Sequence, residues 1–93
     1  MPDLKPTHKQ LLRQGVLAYL APRQPLAFTP ASIARMIRRR QLVDIDFTEG
    51  DVAQALAFLR GLAFVGVEQD GFGPDEYWSA TSKGVLEAER KGL

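Results

Sequence analysis

Residues 63–81 read AFVGVEQDGFGPDEYWSAT, and this stretch limits the possible folds more than any other in the chain. AFVGVEQ alternates, with Val65 and Val67 on one face, as a half-buried strand does. DGFGPDE, residues 70–76, gathers Gly, Pro and Asp and reads as a turn. YWSAT, residues 77–81, is a second strand with Trp78 and Ala80 on one face. The two strands form a hairpin whose loop is longer than the commonest types. Everything around this hairpin carries a helical pattern.

Thr7 and Gln10 match a capping box, and Leu12, Val16, Tyr19 and Leu20 follow at helical spacing, which predicts a first helix from about His8 to Leu20. Pro22 and Pro25 end it. LAFT, residues 26–29, is too short for a helix and suits a small strand. Thr29 then stands as an N-cap with Pro30 at the first helical position. The second helix runs to about Gln41, with Ile33, Ala34, Ile37 and Met36 inward. Its last turn, Arg38-Arg39-Arg40, favours the negative end of the helix dipole. LVDIDF, residues 42–47, is too apolar for a pure surface loop, so part of it plugs the core. Thr48 caps a third helix, TEGDVAQALAFLRGL, whose first turn carries Glu49 and Asp51. Val52, Ala55, Leu56, Leu59 and Leu62 form its buried stripe. Thr81 or Ser82 caps a last helix anchored by Val85 and Leu86. Residues 1–6 hold two prolines and no periodic pattern, and are expected to be a flexible tail. Residues 7–93 make one domain, the size that 93 residues with 45% hydrophobic content supports.

The net charge of +1 conceals a strong segregation. Residues 1–41 carry eight bases against one acid, Asp3, whereas residues 42–76 carry eight acids against one base, Arg60. Such asymmetry points either to a charged partner or self-association, or to halves that neutralise each other within one domain. The chain has no cysteine, hence no disulfide and no thiolate metal site. MPDLKPTHKQ lacks the apolar run of a signal peptide, and no stretch approaches the ~18–20 apolar residues of a membrane span. A cytoplasmic location is expected.

The order helix, short strand, helix, helix, strand, turn, strand, helix resembles the winged helix-turn-helix family of bacterial and phage regulators, over roughly residues 8–90. TPASIARMI resembles the second helix, TEGDVAQALAFLRGL the third, and the hairpin the wing. YWSATSKGVLEAER is similar to the Tyr-x-x-x-Thr-x-x-Gly pattern that follows the wing in many such regulators. Thr81 caps the helix there, and Gly84 lets it pack close to a neighbour. The resemblance implies an α+β, mainly helical fold: a three-helix core, a β-hairpin wing and a C-terminal helix. It also implies binding of double-stranded DNA in transcriptional control, with the third helix in the major groove.

Carried over residue by residue, the outward positions of the third helix are Glu49, Gly50, Ala53, Gln54, Ala57 and Arg60. Gln54 has the chemistry to read adenine and Arg60 to read guanine. Glu49 and Asp51 would repel phosphates, and the wing offers Asp70, Asp75 and Glu76 with no base. The cations able to touch phosphate lie elsewhere: Arg35, Arg38 and Arg39 on the second helix, Lys9 and Arg13 one turn apart on the first. The alternative is a winged-helix protein-interaction module, in which Ala53 and Ala57 present a smooth face and Phe72 an exposed anchor. A homodimer is expected in either case.

Catalysis finds no support. His8 is the only histidine, and no nucleophile, base and acid can be grouped by spacing. Asp44 and Asp46 lack the further oxygens that a hard-cation site needs. GFGP precedes a strand, not the helix that a phosphate-cradling loop requires. No cofactor, metal or small-molecule ligand is expected.

Overall fold

The structure, a computed structural model, describes residues 4–93. Its elements are α1 (Pro6–Leu20), a short 3-10 turn (Ala21–Arg23), α2 (Pro30–Arg40), α3 (Glu49–Gly61), β1 (Val65–Gln69), β2 (Glu76–Ala80) and α4 (Ser82–Lys91). β1 and β2 pair antiparallel, with Val65 opposite Ala80 and Val67 opposite Trp78. Phe28 adds a single bridge to the free edge of β2: its N–H donates to the Trp78 carbonyl at 2.9 Å, and Trp78 returns the bond at 2.8 Å. The expected LAFT strand is thus one residue pair long.

Three threonines start three helices. The Thr29 side chain accepts from Ser32 N–H, Thr48 from Asp51 N–H and Thr81 from Gly84 N–H. Each bond satisfies one of the amide donors that a helix leaves orphaned at its N-terminus. The first helix differs from expectation. It begins at Pro6 with Lys5 at the N-cap and no side-chain cap, so Thr7 and Gln10 do not form a capping box. Proline at the first helical position presets φ and needs no donor, and this fixes the start ahead of Thr7. Residues 1–3 of the expected tail lie outside the described residues, and Leu4 packs on the core.

The core lies where α1, α2 and α3 meet the inner face of the hairpin. Leu12, Val16 and Leu20 of α1, Ile33 and Ile37 of α2, and Val52 and Leu56 of α3 are almost wholly buried. Val65, Trp78 and Ala80 close it from the hairpin, and Phe47 plugs it from the α2–α3 connector. Two expected anchors are exposed instead: Leu62 and Leu86. Leu62 falls beyond the end of α3, and on α4 the buried positions are Gly84 and Ala88, with Val85 half-buried. Gly84 lets α4 lie close against Phe64 at the entry of β1.

α3 ends by a left-handed residue that is not glycine. Ala63 has φ of 63°, its N–H donates to Arg60 C=O at 2.9 Å, and Phe64 N–H reaches back to Leu59 C=O at 3.0 Å. Left-handed backbone costs a residue with a Cβ about 1–2 kcal/mol, part of which glycine recovers and part of which it loses to unfolded-state freedom. Ala63→Gly is therefore expected to raise stability by about 0.5–1 kcal/mol, read as a higher urea midpoint at unchanged slope. A lowered midpoint would show that the methyl group contributes packing that outweighs the backbone strain.

Candidate nucleic-acid interface

α3 rests on the core through Val52, Ala55, Leu56 and Leu59 and leaves the rest of its circumference open. Glu49, Gly50, Ala53, Gln54, Ala57 and Arg60 are all exposed. Their spacing is that of one helix face, with Arg60 towards one border. The face is thin, since two alanines and one glycine occupy it, and its hydrogen-bonding side chains are Gln54, Arg60 and Glu49.

The two acids at the helix entry behave differently. Asp51 completes a capping box: its Oδ2 accepts from Thr48 N–H at 2.9 Å, while Thr48 Oγ1 accepts from Asp51 N–H at 3.1 Å. Its carboxylate is turned back on the backbone and does not point outward from the helix. Glu49 is exposed, and no ion pair forms with it among the described residues.

The cations sort into free and engaged groups. Arg35, Arg39 and Arg40 on α2 are exposed and enter no ion pair among the described residues. Arg40 was not among the cations that the sequence singled out, although it ends the same run. Arg38 is occupied. Its guanidinium lies 4.7 Å from the Phe47 ring centroid and donates a hydrogen bond to the Phe47 carbonyl. It clasps the connector between α2 and α3. Arg13 is also occupied, stacked on the Phe58 ring of α3 at 3.5 Å. Lys9 is half-buried and shares a small cleft of about 50 Å³ with Asp51 and Gln54. The fold therefore brings Lys9, Arg13 and Gln54 together along the α1–α3 seam and keeps Arg35 and Arg39 on α2. The stacking of Arg13 on Phe58 and of Arg38 on Phe47 has no sequence spacing that would reveal it.

The wing is acidic, and hydrogen bonds close its turn. Asp70 N–H donates to Asp75 C=O at 2.9 Å, and Asp70 Oδ1 accepts from Phe72 N–H at 3.0 Å. Phe72 stands fully exposed at its apex, 103% relative to the free residue. Ala53, Ala57 and Phe72, the positions considered for a protein contact, are thus all on the surface. Among the described residues no helix is long and apolar enough to cross a membrane.

No family model matches the chain, and no curated protein does. Solved structures do. A ZitR variant from Lactococcus lactis in apo form superposes with a TM-score of 0.68 at 21% identity, over 92% of this chain and 58% of that one. Bacillus subtilis PadR in complex with operator DNA gives 0.72 at 13% identity, over 98% of this chain and 49% of that one. SSV1 F-93 gives 0.64 at 18% identity and is matched over 84% of its own length. The chain spans little more than half of ZitR and about half of PadR. Its fold is the winged helix-turn-helix.

Proposed function

We propose that this domain binds double-stranded DNA as part of a cytoplasmic transcriptional regulator, acts as a dimer, and carries no enzymatic activity. The observation that carries the reading is the open outer face of α3, together with exposed α2 arginines that enter no ion pair among the described residues, on a fold shared with a regulator solved on operator DNA. In this reading α3 enters the major groove. Gln54 pairs with an adenine edge, and Arg60 reads guanine at the far end of the helix. Arg35 and Arg39, joined by Arg40, take phosphates from α2, the helix that crosses the backbone in helix-turn-helix docking. Lys9 adds a cation at the α1–α3 seam. The wing, lined by acids, stays off the phosphates.

Counterion release sets the scale of the test. About four phosphate contacts give a log–log salt slope of roughly −3.6, hence about a hundredfold loss of affinity between ~50 and ~200 mM salt. Fluorescence anisotropy of a labelled random duplex at the two salt levels reads this directly. Arg35→Ala combined with Arg39→Ala should flatten the slope by about two units. An unchanged slope would remove α2 from the interface. Absence of binding at ~50 mM salt, where non-specific contacts are strongest, would sink the DNA reading itself.

A further inference from the structure

Phe72 and the groove between α1, α3 and α4 are an exposed aromatic side chain and an open apolar slot on the same chain. Phe72 sits on a hydrogen-bonded turn, and its side chain is fully exposed. Aromatic side chains presented in this way are the usual anchors of protein interfaces. Acids surround it, namely Glu68, Asp70, Asp75 and Glu76, and residues 61–82 contain no lysine or arginine. The groove, of about 270 Å³, is walled by Leu17, Phe58, Phe64 and Leu93. Its rim carries the bases Arg13 and Lys91. The one acidic side chain there, Glu87, is already matched by Arg90 at 3.2 Å, so the lining side chains carry net positive charge.

We propose that the wing of one copy docks into this groove of a second copy. The Phe72 ring seats against Phe58 and Phe64, and Asp70 and Asp75 meet Arg13 and Lys91. The partner is a second copy because the chain itself supplies both the apolar anchor with its negative collar and the apolar slot with its positive rim. Opposite charge around an apolar centre fixes register and favours this pairing over others. The contact stands independently of DNA binding, since neither Phe72 nor the groove belongs to the outer face of α3.

Sedimentation equilibrium of the purified chain over ~10–500 µM tests it, a range suited to a contact of modest size. The wild type is expected to rise above the monomer mass of 10.3 kDa with concentration. Phe72→Ser should stay at the monomer mass throughout while its thermal melt is unchanged, because the ring is fully exposed in the monomer. Asp75→Lys should weaken association about tenfold, and adding Lys91→Glu to it should restore most of the loss. A wild type that stays monomeric at every concentration overturns the proposal. So does a Phe72→Ser variant that associates as the wild type does, which would place the interface on another face. A double charge variant no better than the single one overturns the docking mode.

Discussion

Gly84→Ala is expected to lower the melting temperature by roughly 15 °C, a loss of about 3 kcal/mol converted at the scale of a chain this size. A Cβ built at Gly84 would stand 2.0 Å from the Phe64 carbonyl oxygen and 2.9 Å from its carbon. These are backbone atoms, which cannot swing aside as a side-chain end does. The same carbonyl accepts the Thr81 N–H at 3.0 Å, and the Thr81 hydroxyl donates to Ala63 C=O at 2.6 Å. The start of α4 is thereby pinned to the entry of β1 at several points within one turn. A methyl group must either push α4 away, breaking the Thr81 contacts, or displace the strand from Trp78. Against a total stability of about 5–14 kcal/mol, 3 is a large share. Thermal denaturation followed by circular dichroism measures it. A shift below ~3 °C would mean that α4 pivots freely and that the Thr81 bonds contribute little.

Leu56→Ala should cost about as much by the opposite route. Leu56 is wholly buried on α3, within the cluster that joins α1, α2 and α3. Deleting a leucine side chain at such a site removes its transfer free energy and leaves a cavity, for a total of about 2–5 kcal/mol. The upper half of that range is expected, because the site is bounded by three helices that would all have to move to collapse it. A urea titration reads the loss as a lower midpoint. The variant also ties stability to the proposed interface, since the buried face of α3 positions the exposed one. A cost under ~1 kcal/mol would show that the three helices close over the gap.

Much of this architecture was legible in the sequence because it depends on short-range chemistry. A cap spans three residues, so Thr29, Thr48 and Thr81 announce their helices. Strand alternation places Val65, Trp78 and Ala80 inward without knowledge of anything else. Errors arose where a pattern outlived its element. Leu62 and Leu86 continue an apolar period, but α3 stops at Gly61 and α4 presses its small residues inward. The capping box at Thr7 lost to a proline one residue earlier. The candidate site was less readable. Charge segregation between the two halves could be seen at once. Which arginines are free could not, because Arg13 and Arg38 are held by aromatic rings on other elements, and such partners are set by tertiary packing alone.

The clasp of Arg38 on Phe47 divides a run of three like residues into unlike parts. An ammonium group could stand in for a guanidinium at positions 39 or 40, where only charge and reach matter. At position 38 it would lack the flat face that lies over the ring and the fork that reaches the carbonyl at the same time. The tolerance of the triplet to exchange is therefore uneven: two of its members can drift between the basic amino acids, and the third is constrained like a residue of the interior, although it stands on the surface.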